Sequence, residues 1–327
     1  MIATDGAIDL YPCNELACLE ITGQDSVSFL QSQLTQDVQL LSQGRAALTG
    51  YCSAQGRLLA SMVLVPTDNP QTMLALVRQD LLEGLVKRLR MFVLRSKVVL
   101  QVRDDLRVWG LVADAQSEFE CPQAIWGVSS VSVGLLVRAP SSGTHQTRCW
   151  LISSVASTVG ADDQTDSDPR SAAPAIAGSV LHQDAASWNV QDILAGLPWI
   201  AEATKDLFIP QTVNLDLIDG VSFSKGCYPG QEVVARAHYR AKVKRRMHVA
   251  RVSGTAEILP ASDVFVGANP DDPVGRVIQV AREEDMTYIL FDAPFKVLSE
   301  GGLVAGEAAG PVIELQALPY SIEETGG

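Results

Sequence analysis

At 327 residues and 35.0 kDa, with 47% apolar residues, the chain is long enough for two or three structural units and needs no metal or disulfide staple to build a core. Lys and Arg number 25 against 38 Asp and Glu, and the resulting formal charge of −13 repels a bulk polyanion, so extended nucleic-acid binding is not expected. No run approaches the roughly 18 uninterrupted apolar residues of a membrane span, and MIATDGAIDLYPC at the start lacks a basic region followed by an apolar one. The expectation is a cytoplasmic protein with no membrane partner.

The six cysteines form no C-x-x-C pair and the histidines number four, a spacing that gives no reason to expect a permanently bound metal. Unpaired thiols also suit a reducing compartment.

In chain order, ACLEI reads as a short strand, followed by a helix in TGQDSVSFLQSQLTQDV. Thr22 is placed to cap that helix with Asp25 three positions on, and Val27, Leu30 and Leu34 share a face. RAALTGYCSAQGRLLASMVLV reads as two strands joined by a turn around Gln55-Gly56. TMLALV is a further strand, and DLLEGLVKRLRMF sets Leu81, Leu85 and Leu89 at helical spacing. LRVWGLVA, SVSVGLLVRA and RCWLISSV are strand-like. Between 154 and 178 the composition turns to Ser, Ala, Asp and Pro, as a polar surface insertion would. DAASWNVQDILAG restores a helix, stopped by Gly196 and Pro198. RRMHVARV, VGRVIQVA, TYILFD and GPVIELQ then predict a small antiparallel barrel or sandwich of roughly 80 residues.

The candidate chemistry lies in SKGCYPGQEVVAR, residues 224–236. Gly226 and Gly230 bracket Cys227-Tyr228-Pro229, a composition for a tight preformed loop ahead of a helix carrying Gln231 and Glu232. The first amides of that helix, together with Lys225, would favour a Cys227 thiolate; the competing reading is an inert buried thiol beside an ordinary helix start. Upstream, Phe208, Pro210, Asn214, Leu215 and Phe223 offer either the walls of a flat heteroaromatic site or a packed loop. Downstream, Arg236, Arg240, Lys242, Lys244, Arg245 and Arg246 offer either an anion site or a solvated interdomain stretch. The dinucleotide, P-loop, hydrolase-elbow and zinc-protease motifs are absent, and His182, His238 and His248 lack a partner pattern.

The octapeptide KGCYPGQE, its context FIPQTVNLDLIDGVSFSKGCYPGQEVVARAHYR, and the earlier ITGQDSVSFLQSQLTQDV and TGYCSAQGRLLASMVLV together resemble the YgfZ family of folate-binding proteins, relatives of the glycine-cleavage aminomethyltransferase (T-protein). The resemblance implies an α+β fold built as a three-part ring. Residues 1–240 would form two intertwined α+β units around a folate channel, and residues 241–327 a small C-terminal β-barrel. It implies a tetrahydrofolate or related folate as ligand, with a role in iron–sulfur cluster assembly or repair. Iron–sulfur assembly factors or iron–sulfur tRNA-modifying enzymes would be the partners, and direct tRNA contact is not required. Cys227, with Lys225 and Glu232, would carry the reactive chemistry, while Tyr228, Gln231, Arg236, Arg240 and Asn214 would face the folate. AQGRLLASM puts Leu58, Leu59 and Ala60 near where the methyltransferase has an acidic pair, so glycine-cleavage activity is not expected. A folate-dependent one-carbon transferase and a non-catalytic interaction scaffold are the alternatives.

Overall fold

In the computed structural model, residues 8–41, 44–114, 119–143, 146–154, 170, 178–239, 243–254, 257–267, 272–307 and 309–322 are described. The polar insertion anticipated at 154–178 lies almost wholly outside them, as does Arg240.

The chain weaves between two sheets before it builds a third. It begins with β1 (Ile8–Pro12) and then lays down an antiparallel five-stranded sheet from β2 (Leu16–Thr22), β3 (Ala47–Cys52), β4 (Leu58–Pro66), β5 (Thr72–Arg78) and β6 (Val99–Val102), in the order β3-β4-β5-β2-β6. It returns to β1 with β7 (Leu106–Asp114), β8 (Val128–Val131), β9 (Gly134–Arg138), β10 (Gln146–Ser154) and β11 (Val180–Leu181). These form a mixed sheet ordered β11-β1-β7-β10-β9-β8, in which only β1 and β11 run parallel. Alternation fixes which face is inward: Val108, Val112, Val137 and Trp150 enter the main core, while Trp109, Leu111, Leu136 and Cys149 form a smaller cluster on the opposite face.

The helices follow the sequence signals with one exception. Helix α2 (Leu82–Val93) buries Leu82, Leu85, Val86 and Leu89, and α3 (Ala186–Leu194) ends before Gly196, whose φ of +65° stops it. Helix α1 (Ser26–Gln33) starts after Asp25, because Thr22 is still the last residue of β2. The expected Thr22 cap is therefore absent, and the Asp25 carboxylate instead accepts the Lys97 backbone N–H at 2.7 Å.

The third sheet comprises β12 (Arg245–Ser253), β13 (Asp263–Val266), β14 (Gly275–Glu283), β15 (Met286–Pro294), β16 (Leu303–Gly306) and β17 (Glu314–Gln316), ordered β16-β13-β14-β15-β12-β17, with α5 (Phe295–Glu300) between β15 and β16. Its edges meet. Residues just before β17 bond β16, through Ile313 N–H to Leu303 O at 2.8 Å and Ala305 N–H to Pro311 O at 3.1 Å, while β17 itself pairs with β12. Closure removes the exposed edges and makes a small antiparallel barrel. One side of that barrel joins the main core through Met247, Val249, Ile278 and Leu290, and α3 packs on β14 and β15. At the centre Trp150 stands among Trp126, Trp188 and Trp199, and Arg148 forms a fully buried 2.6 Å ion pair with Asp192 while lying 4.1 Å over the Trp188 ring. A pair this deep is costly to break, because either partner alone would be an uncompensated buried charge.

Candidate functional site

The signature octapeptide forms a loop that ends in α4 (Gln231–Tyr239). Gly230 has φ +79°, and a Cβ there would come within 2.4 Å of the Ser53 carbonyl oxygen in the β3–β4 turn. Gly56 of that turn, at φ +73°, answers from the other side: its Cβ would meet the Val233 side chain at 2.8 Å. Two glycines thus let two backbones touch, which explains why both the Gln55-Gly56 turn and the second glycine of the octapeptide are needed in one fold.

Lys225 is buried, and its ammonium donates to the carbonyl oxygens of Gln31 (2.6 Å), Leu34 (2.5 Å) and Gln36 (3.0 Å). These carbonyls surround the C-terminus of α1, where unpaired acceptors and the helix dipole favour a cation. Burial nevertheless pulls the Lys225 pKa down to about 8, with Asp37 opposing. Its three hydrogen bonds all go to carbonyls around the end of α1. The first amides of α4 are also spent locally: Gln231 N–H donates to Tyr228 O, and Val233 and Val234 N–H donate to Gly230 O.

Cys227 itself is exposed, carried between buried Lys225 and buried Tyr228. Tyr228 lies beneath the loop with its ring 5.2 Å from the Lys225 ammonium; burial and then Cys52 raise its phenol above the ordinary value. Gln231 donates to the Lys225 carbonyl at 3.4 Å, and Glu232 is exposed in the first turn of α4, with Arg236 exposed toward its end. The loop is therefore a rigid pedestal: anchors point inward and one sulfur points outward.

The residues expected as ligand walls have another use. Phe208 and Leu215 lie in the main core. Asn214, fully buried, donates to Met247 O at 2.9 Å and to the Tyr320 hydroxyl at 3.3 Å, so it joins body to barrel. Arg246 is likewise a junction residue. It forms a buried bidentate pair with Asp216 at 2.6 and 3.1 Å and donates to Gln211 O, while Arg245 pairs with Asp292 at 2.8 Å. Of this basic stretch, Arg246 therefore ties body to barrel and Arg245 ties two barrel strands, β12 and β15, together.

A better ligand cavity lies along the hairpin that the loop abuts. It encloses about 240 Å³ and is lined by Tyr51 of β3, Leu59 of β4, Leu85, Lys87, Arg88 and Met91 of α2, and Glu202 and Lys205. Tyr51 and Arg88 share a hydrogen bond, which works against the burial that raises the Tyr51 phenol. The Arg88 Nε is buried without a partner, an unspent donor among apolar walls. Leu58 and Ala60, near the expected acidic pair, are fully buried, and Leu59 supplies only hydrocarbon. A larger cavity of about 500 Å³, at Asn14, Ala185 and Leu259, takes no wall from the hairpin or from the signature loop. Sequence reasoning missed the smaller cavity because its walls come from four separated segments; only the helical spacing of α2 hinted at one of them.

No protein-family model matches the chain. The tRNA-modifying protein YgfZ of Edwardsiella ictaluri (strain 93-146) is 34% identical over 314 residues, covering 94% of this chain and 90% of that protein. Its namesake from Yersinia pestis (strain Pestoides F) is 29% identical over 332 residues, covering 99% and 96%. The crystal structure of the glycine cleavage system aminomethyltransferase T from Bartonella henselae superposes with a TM-score of 0.69 at 12% identity, over 97% of this chain and 87% of that one. The α+β fold is therefore that of the aminomethyltransferase, as the sequence implied.

Proposed function

The chain belongs to the YgfZ family, and from that membership we propose that it binds a reduced folate and presents Cys227 in support of iron–sulfur cluster assembly or repair, and through iron–sulfur enzymes of tRNA modification. The observation that carries this reading is the pedestal. Three carbonyl bonds to Lys225 and the glycine contact at Gly230 hold in place a loop whose one outward reactive atom is the Cys227 sulfur. Pre-ordering of this kind removes the entropy cost of presenting a thiol to a partner. A thiol of this kind suits sulfur transfer, redox chemistry or transient metal contact.

On this reading the hairpin cavity takes the pterin end of a folate. Flat apolar walls from Tyr51, Leu59 and Met91 suit a pterin, the orphaned Arg88 Nε would supply a donor to it, and Lys87 favours the carboxylates of a glutamate tail. A bound reduced folate supplies a one-carbon carrier. The residues around it bind and orient, and the Leu58–Ala60 stretch has no group able to take a proton, which supports a role other than glycine cleavage.

One observation favours the alternative of a folate-dependent one-carbon transferase: Glu202 lines the cavity as an acid from an unexpected position. It is ion-paired with Lys205, so the pair would have to open for proton transfer. Transfer of a methyl, methylene or formyl group that disappears in Glu202→Gln would establish that reading.

The thiol is tested in cells whose only copy carries Cys227→Ser. Activity of an iron–sulfur tRNA-modifying enzyme should fall while the variant protein accumulates normally. Full activity with the serine variant would reject the role of the sulfur. A formal net charge of −13 disfavours direct RNA binding, and on this reading the effect runs through the enzyme, so the purified protein should retain little tRNA at physiological salt.

A further inference from the structure

A pair of sulfurs lies on the outer face of the mixed sheet, in the smaller cluster. Cys149 of β10 is completely buried, Cys121 in the segment before β8 is partly exposed, and their Sγ atoms are 2.6 Å apart. They are 28 positions apart in sequence and fit no C-x-x-C pattern. Arg138 of β9 is the direct cross-strand partner of Cys149, so both side chains leave the same face of the sheet, and its guanidinium interacts with both sulfurs. Contact with Cys149 and the charge of Arg138 draw the Cys121 thiol below its ordinary value against the opposing effect of burial, while the same contact and burial push Cys149 up. One thiol is thus reachable and anion-stabilised, and the other is sheltered in contact with it.

We propose that Cys121 and Cys149 form a second thiol centre, independent of Cys227, which a hydroperoxide converts to an intramolecular disulfide that pins the 119–122 segment onto the sheet. The Cys121 thiolate attacks the terminal peroxide oxygen. The O–O bond breaks, the alcohol (water, from hydrogen peroxide) leaves with a proton, and Cys121 becomes a sulfenic acid. The Cys149 sulfur then attacks the Cys121 sulfur, the S–O bond breaks, and hydroxide leaves as water with the Cys149 proton. Two thiols lose two electrons, and the peroxide gains them. The sulfurs need only a small approach to reach the roughly 2.05 Å of a disulfide bond. Arg138 acts as a positioning residue that favours the anionic form of Cys121.

The test uses the full chain carrying Cys227→Ser, so that the exposed thiol does not compete. The reduced protein is treated with stoichiometric hydrogen peroxide, unfolded in iodoacetamide and mapped by peptide mass. The expected product is a linked peptide pair containing Cys121 and Cys149, reversed by dithiothreitol. In Cys149→Ser, dimedone should capture a sulfenic acid on Cys121, whereas in Cys121→Ser the buried Cys149 should remain unoxidised. Arg138→Gln should slow the oxidation severalfold, because the guanidinium beside the two sulfurs favours the thiolate that attacks the peroxide. Complete alkylation of both cysteines after peroxide, or a bridge from Cys121 to some other cysteine, would overturn the proposal; an unchanged rate in Arg138→Gln would overturn the role of the guanidinium.

Discussion

Residues 224–232 and residues 244–248 both concentrate unusual side chains, and both look functional when read as text. Folding treats them in opposite ways. In the first stretch Lys225, Tyr228 and Gly230 are anchors that turn inward, leaving the Cys227 sulfur in solvent. In the second, Arg246 is buried against Asp216 at the seam between body and barrel, and His248 is buried against Phe291 and Phe295 within the barrel, so charge and imidazole serve packing. A cluster of special residues thus marks a constraint. Only the direction in which each side chain points shows whether the constraint is structural or chemical.

Breaking the seam should have the largest effect on stability. Arg246→Met leaves the Asp216 carboxylate without its partner in a nearly water-free site, and should cost about 4 kcal/mol in urea unfolding. Arg246→Met with Asp216→Leu should recover much of that loss, since the stranded charge is then gone.

His248 gives the barrel a pH signature. Burial lowers its pKa from 6.5 to about 4, with the backbone bond at Ala293 opposing. Between those values the unfolded chain holds a proton that the folded chain refuses. The contribution is complete above pH 6.5 and is lost as pH falls through about 4. By the linkage of 1.36 kcal/mol per unit, up to about 3 kcal/mol should disappear over that window, and His248→Leu should flatten this part of the stability profile.

Gly230→Ala tests the pedestal directly. A positive φ and a close carbonyl both oppose the added methyl, so about 2 kcal/mol of stability should be lost, seen as a lower melting temperature. Cys227→Ser should change stability by less than about 0.5 kcal/mol, because the sulfur contributes no buried contact. A large loss in this last variant would make the two stretches alike and dissolve the contrast between them.

Much of this architecture was legible in the sequence. The β3–β4 hairpin, the stripe of Leu81, Leu85 and Leu89, the stop at Gly196 and the three long strands of the barrel all carry period, turn and cap signals within a few residues of one another. The short strands β13 and β16 carry four residues each, too few for periodicity to speak. The octapeptide announced itself because glycine and proline constraints are local. The hairpin cavity and the Cys121–Cys149 contact did not, since tertiary folding brings Tyr51 to Arg88 and residue 121 to residue 149 across the sheets. The Thr22 cap failed for a related reason: pairing with β5 and β6 holds Thr22 in the strand past the point where local pattern would start the helix.

Calorimetric titration with tetrahydrofolate, applied to the unmodified protein, Arg88→Met and Cys227→Ser, bears most directly on the proposed ligand. Saturable one-to-one binding is expected, weakened at least about tenfold in Arg88→Met, as loss of a charged hydrogen bond to the ligand requires, and unchanged in Cys227→Ser. Absence of binding to the unmodified protein, or equal affinity after Arg88→Met, would contradict a folate held in the hairpin cavity.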